Sequence, residues 1–184
     1  MDFERVLQAL LVAFERHQIR YAAIGGFAVG VLGTFRGTMD VDFLVHRDDL
    51  ATLHTALTGL GYQRFMQTEN VSHYRHADSQ WGGLDFIHAF REISIEMLGR
   101  AKPVPIFQGS CTMRIAEPED VIGLKVQAMA NDPARRTKEL SDIEQLMELY
   151  GNRFDWKRIQ EFFELFELGE EARRLRTRYG QHAE

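Results

Sequence analysis

Ile24-Gly25-Gly26-Phe27 is followed, fourteen residues after the second glycine, by Asp40-Val41-Asp42-Phe43-Leu44-Val45. Asp40 and Asp42 stand at i and i+2 of a short apolar run. On a β-strand both carboxylates then point to one face, while Val41 and Phe43 point to the other, into a core. Two aspartates side by side repel, so the pattern makes chemical sense when a cation lies between them. Hard carboxylate oxygens suit Mg²⁺, with Mn²⁺ as an alternative, held by one or two carboxylates together with substrate phosphates. Upstream, Tyr21 to Ile24 reads as a short strand, and the glycine pair opens a small-residue helix over Phe27 to Leu32. Bare backbone N–H groups at such a helix start form a cradle for phosphate. One segment therefore offers a metal site and a phosphate site.

Outward from this stretch the chain reads as alternating helices and strands. Phe3, Val6, Leu7, Leu10, Leu11 and Phe14 recur at helical spacing and predict an amphipathic opening helix. Asp48-Asp49 is expected to cap a helix running to about Leu60, with Leu50, Leu53 and Leu57 on its buried face. Tyr62 to Met66 and Val71 to Arg75 predict an antiparallel pair. Leu84 to His88 is a further alternating strand, with Asp85 and Ile87 on one face and Leu84 and Phe86 on the other. Val104 to Phe107 and Cys111 to Ile115 give one more β pair, around a Gly109-Ser110 turn. Pro118 suits a first helical turn, and helices follow to about Ala130, from Arg135 to Tyr150, near Trp156 to Leu165 and from Gly169 to Tyr179. The expected architecture is an α/β (α+β) domain over residues 1–116, with a mixed central sheet flanked by helices. A C-terminal helical region over 117–184 is expected to pack on it.

Composition bounds the answer. The chain has 184 residues, 45% hydrophobic and 27% charged, enough for a sizeable core without covalent staples. A single cysteine, Cys111, rules out an intrachain disulfide framework and suits a reducing cytoplasm. No apolar run approaches the roughly 20 residues that span a bilayer, and no secretory leader is read at the N-terminus. A net charge of −5 argues against nonspecific coating of nucleic acid, though not against a local basic site.

Other side chains carry weaker signals. Arg36, just before the carboxylate strand, has the forked donors that suit a triphosphate oxygen, and Thr38 would support the same loop. Lys138 and Asp142 have the i, i+4 spacing of a surface ion pair. His73 and His76 fall in one strand and face opposite sides, so zinc is not expected. Cys111 has no activating partner in the sequence and reads as structural. Arg173, Arg174, Arg176 and Arg178 could touch RNA phosphate, but with Glu170 and Glu171 beside them a solvated helix face is the simpler reading.

Glycine pair, apolar helix and Asp-x-Asp in this order resemble the nucleotidyltransferase superfamily, whose fold is that of DNA polymerase β. Gly25-Gly26, Arg36-Gly37-Thr38 and Asp40-Val41-Asp42 together look most like its abortive-infection type branch, the toxins of bacterial toxin–antitoxin systems. Glu117-Pro118-Glu119-Asp120-Val121-Ile122-Gly123-Leu124-Lys125, followed by Arg135-Arg136-x-Lys138 and Asp142-Ile143, adds a second stretch of likeness. Two positions depart from the pattern. Phe27 stands where the fuller signature has a serine, and Glu139 where an aspartate commonly follows the lysine.

The resemblance implies a Mg²⁺-dependent transfer of a nucleoside monophosphate from an NTP to an acceptor hydroxyl. Asp40 and Asp42 would bridge the metals. Asp85, from a neighbouring strand, would complete the hydroxyl-side metal and take the proton. Gly25, Gly26, Arg36, Thr38 and Lys125 would meet the nucleotide's phosphates. The acceptor implied is a tRNA or other RNA, with a cognate antitoxin as partner. A small molecule such as an aminoglycoside-like amino sugar is the enzymatic alternative, and a noncatalytic antitoxin or binding member is the non-enzymatic one. The presence of both Asp40 and Asp42 argues against the last.

Overall fold

The computed structural model describes residues 1–34 and 40–180. Its contacts divide the chain into two compact units. One holds Met1–Ala28 and the strands that follow as far as Ala116; the other holds a short stretch beginning at Val29 and the helices from Glu117 onward.

A seven-stranded mixed sheet forms the first unit. Its strands are β1 (Tyr21–Ile24), β2 (Val41–His46), β3 (Tyr62–Gln67), β4 (Val71–His76), β5 (Gly83–Ala89), β6 (Lys102–Ile106) and β7 (Cys111–Ile115), in the order β3-β4-β5-β2-β1-β7-β6. The carboxylate strand β2 is central, antiparallel to β1 and parallel to β5. Central strands buried on both faces read as nearly unbroken apolar runs. In β2, Val41, Phe43, Leu44 and Val45 are fully buried, and Asp42 is the interruption. Both sheet edges carry features that discourage further pairing. β6 has Pro103 and Pro105, and β3 shifts register between Arg64 and Met66.

Helix α1 (Phe3–Arg16) starts where the Asp2 carboxylate accepts from the Arg5 N–H and buries Val6, Leu7, Leu10 and Phe14. The Phe14 ring meets Phe43 edge-on at 5.5 Å, and Phe43 stacks on Phe86 at 5.3 Å. Each such fully buried ring contributes about 1.5–3 kcal/mol of transfer free energy. α2 (Gly25–Val31) follows β1 directly, and α3 (Leu50–Gly59) buries Leu53, Ala56 and Leu57.

Two features of this unit differ from the sequence expectation. A helix, α4 (Glu92–Arg100), stands where no element was expected. Its buried side chains are only Met97 and Leu98, too few to write a helical stripe, and its start rests on a reciprocal bond pattern between Arg91 and Ser94. Asp48-Asp49 also does not cap α3 through a side chain. A 3-10 turn precedes the helix, and the Asp49 carboxylate instead takes the Arg20 guanidinium at 2.9 and 2.8 Å and the Arg20 backbone N–H at 2.9 Å. Charge-assisted forked bonds outcompete a neutral cap, and the Arg20 bond holds the Asp49 carboxyl below its ordinary pKa.

The second unit is helical: α5 (Pro118–Asn131), α6 (Arg136–Tyr150), α7 (Trp156–Leu165) and α8 (Gly169–Tyr179). Gly123 lets α5 approach α7, since a Cβ there would stand 2.8 Å from the Phe162 ring. Asp155 caps α7 by accepting from Lys157 and Arg158 N–H groups, and the Tyr150 hydroxyl donates to the Leu32 carbonyl at 3.1 Å. Arg158 gathers Glu117 and Glu119 at 2.9 Å each. Among the described residues no helix is long and apolar enough to cross a membrane.

Candidate active site

Asp42 and Asp85 are register partners on the adjacent parallel strands β2 and β5. Register partners share a sheet face at a strand spacing of about 4.8 Å, so the two carboxylates occupy one surface. Both are partly exposed, while the alternating neighbours Val41, Phe43, Leu84 and Phe86 are buried on the other side. Placing like charges directly opposite is unfavourable in a sheet. A cation held between the two carboxylates would offset that repulsion.

Asp40 precedes β2 and is exposed. Its Oδ1 accepts from the Gly83 N–H at 3.2 Å, and a Cβ on residue 83 would lie 2.7 Å from that oxygen. Gly25, at the β1–α2 junction, has φ +66°, and a Cβ there would stand 2.0 Å from Asp42 Oδ2. Only glycine permits that backbone to pass the carboxylate. Gly26 follows as the second residue of α2. Arg36 and Thr38 lie outside the described residues.

Asp85 has a partner that sequence reasoning missed. His73, its antiparallel register partner on β4, places Nδ1 2.5 Å from Asp85 Oδ1. The alternation of β4 set His73 on the face opposite Ser72 and Tyr74, but only the pairing of β4 with β5 brings it to Asp85. Among the described residues no three His, Cys, Asp or Glu side chains form a ready-made metal cage. Asp40 turns to a backbone amide and Asp85 to an imidazole. The donor set on this face nonetheless consists of hard carboxylate oxygens, which fit Mg²⁺ or Mn²⁺ when substrate phosphates supply the remaining ligands.

Lys125 lies in the second unit and is 5% exposed. Its Nζ donates to Glu139 at 2.9 Å and Asp142 at 2.5 Å, and Arg135 also holds Glu139. Burial works to raise the Glu139 pKa, and the Lys125 and Arg135 contacts outweigh it, leaving the carboxyl below its ordinary value. The second block of sequence likeness is thus, in large part, a buried ion cluster. Asp142 pairs with Lys125 from the neighbouring helix.

Residues 2–173 match the model of a family described as uncharacterised nucleotidyltransferases. The chain belongs to this family. No curated protein shows significant sequence similarity to it. Among solved structures, the antibiotic-resistance factor ANT(2'')-Ia aligns with a TM-score of 0.68 at 14% identity, covering 99% of this chain and 100% of that one. ANT(2'')-Ia has also been solved in complex with adenylyl-2''-tobramycin. The lincomycin-bound lincosamide antibiotic adenylyltransferase LnuA aligns with a TM-score of 0.56 at 16% identity, covering 78% of this chain and 95% of that one. A nucleotidyltransferase-like protein from Paracoccidioides brasiliensis gives 0.55 at 16%, covering 92% and 90%. At these identities the likeness shows the nucleotidyltransferase fold.

Within this nucleotidyltransferase, Phe27 stacks on Phe3 of α1 at 5.6 Å, with 19° between the rings. The position where the superfamily signature has a hydroxyl is here an aromatic contact that seats α1 on α2.

Proposed function

We propose that this nucleotidyltransferase moves a nucleoside monophosphate from an NTP to an acceptor hydroxyl, with Asp40, Asp42 and Asp85 as its catalytic and metal-binding carboxylates. The observation that carries the reading is the pairing of Asp42 with Asp85 across β2 and β5, with Gly25 pressed against Asp42. In this reading the acceptor oxygen attacks the α-phosphorus, the bond to the β-phosphate's bridging oxygen breaks, and pyrophosphate leaves. Asp85 accepts the hydroxyl proton. Gly25 and Gly26 offer backbone N–H groups to the phosphates, and Arg36 and Thr38 follow from the same sequence likeness. Mg²⁺ or Mn²⁺, held by Asp40, Asp42 and Asp85, would neutralise charge on the triphosphate. The catalytic domain of this reading is residues 1–116, with 117–184 as a helical region. Lys125 is given to the ion cluster that holds α5 to α6.

A small polyhydroxylated acceptor of the aminoglycoside class is the reading we favour. The full-length correspondence with ANT(2'')-Ia supports it. So does α8, where Arg173 pairs with Glu170, Arg174 with Glu171 and Arg178 with Glu144, so that much of the arginine charge is already matched. A tRNA-modifying toxin with a cognate antitoxin, working in the cytoplasm, is the second reading, and the sequence likeness around Arg36-Gly37-Thr38 supports it. Incubation with each α-labelled NTP and Mg²⁺, in parallel with an aminoglycoside panel and with total tRNA, separates the two. Label on the amino sugar alone supports the first reading, and label on tRNA alone the second. No transfer to either, with free NTP hydrolysis also absent, would overturn the proposed chemistry.

A further inference from the structure

We propose that His73 is a positioning residue that fixes the Asp85 carboxylate for the acceptor hydroxyl, with Phe65 holding the imidazole in place. The inference rests on the reading of Asp85 as the acceptor-side carboxylate. It starts from the hydrogen bond itself: His73 Nδ1 and Asp85 Oδ1 are 2.5 Å apart, within hydrogen-bond reach. An ionised carboxylate only accepts, so Nδ1 carries the hydrogen and the ring is the Nδ1–H tautomer when neutral. With one oxygen bonded, the carboxylate cannot rotate freely, and Oδ2 is turned toward the acceptor hydroxyl and the cation.

The setting of His73 is built to keep that geometry. β4 lies between β3 and β5, and His73 and Asp85 are direct register partners, so the backbone ladder already brings the two side chains together on one face. On its other flank, β3 pairs Arg64 with Tyr74 and Met66 with His73, which leaves Phe65 as the extra residue of a bulge. Bulges re-aim side chains, and this one sets the Phe65 ring 5.7 Å from the His73 ring at a 40° tilt. Arg75, two residues along β4 on the His73 face, holds its guanidinium carbon 4.4 Å from the Phe65 ring centre. A large aromatic side chain left 55% exposed on an edge strand is a solubility cost. Its use as a stop for the imidazole accounts for that cost. Side chains that place a reacting group act through such packed support, and a small loss of aim is expensive in rate.

A merely structural role, stitching β4 to β5, makes different predictions, because the ladder between those strands is complete without the side chains. His73→Phe fills the ring volume but donates nothing. His73→Asn keeps a donor two bonds from Cβ, where Nδ1 stands. We expect His73→Phe to lower kcat at least about tenfold while KM for the NTP stays within about twofold, the signature of a contact that matters in the transition state. His73→Asn should recover most of that loss. Unfolding midpoints of both variants should stay near wild type. Wild-type kcat in a folded His73→Phe protein, or an Asn variant as slow as the Phe variant, would overturn the proposal. The pairing is also read without turnover, by the imidazole nitrogen shifts of His73. Wild type should show the Nδ1–H form, and Asp85→Leu should release it to the commoner Nε2–H form. An unchanged tautomer in Asp85→Leu would overturn the proposal independently. If wild type transfers nucleotide to no acceptor, the functional reading fails, and the nitrogen shifts still decide the pairing.

Discussion

Gly25 passes so close to Asp42 that a single methyl group on its Cα would lie 2.0 Å from the carboxylate oxygen Oδ2. This contact ties the glycine pair to the carboxylate strand. It puts the backbone that would cradle a phosphate beside the carboxylate that would hold its counter-ion.

Gly25→Ala tests the contact directly. The variant combines a left-handed backbone, with φ +66°, and a collision with Asp42. A left-handed non-glycine residue costs about 1–2 kcal/mol before any clash is counted. Urea unfolding should therefore show a loss of at least that size, with binding of NTP weakened because Asp42 must move. A variant with wild-type stability and wild-type nucleotide affinity would show that the close approach has no consequence.

Lys125→Met asks what the ion cluster does. The substitution removes the cation that meets Glu139 and Asp142 in a buried site. Breaking a buried ion pair from one side costs about 3–5 kcal/mol, and because Arg135 still holds Glu139 the loss here should fall toward the lower end of that range. Adding Glu139→Gln and Asp142→Asn to the same protein should recover part of that loss. If Lys125→Met is as stable as wild type but binds NTP poorly, the lysine serves the nucleotide and the assignment to packing is wrong.

His88 predicts a pH dependence of stability. Its Nδ1 donates to the Glu69 carbonyl at 2.9 Å and its Nε2 lies 3.0 Å from the Ser72 hydroxyl, so the neutral ring satisfies both partners. Burial depresses its pKa, with the Arg47 charge adding to the effect. The unfolded chain, with an ordinary histidine pKa near 6.5, takes up the proton first. The stabilisation is therefore complete above about pH 6.5 and declines as pH falls below it. The melting temperature should drop on acidification from neutral pH, and His88→Gln should flatten that slope. An unchanged slope in the variant would remove His88 from the account.

Much of the sheet unit can be read from the chain because its signals are local. Val41, Phe43 and Val45 alternate with Asp42 on a short run, and the glycine pair marks where β1 ends. The helical unit is similarly legible, with Pro118 at a helix start and breaks at Asn131-Asp132-Pro133 and Gly151-Asn152 between the helices. What could not be read depends on strand order or on competition between partners. His73 meets Asp85 only because β4 pairs with β5, which no local pattern states. Asp49 leaves its cap for Arg20, a residue on the far side of β1 and β2 in sequence. The contacts of Lys125 with Glu139 and Asp142 form only once α5 and α6 pack. α4 was missed because two buried residues, Met97 and Leu98, are too few to display a period.

The central claim is that Asp42 serves a cation and a nucleotide together, and isothermal titration of Mg²⁺ with a nonhydrolysable NTP into wild type and Asp42→Asn tests it most directly. The amide keeps the shape of the side chain and removes its charge, so the fold should persist, as a melting curve on the same samples will show. The account predicts that Asp42→Asn binds the Mg²⁺–NTP complex at least about tenfold more weakly, a loss of about 1.4 kcal/mol. Equal affinity in a folded Asp42→Asn protein would contradict it.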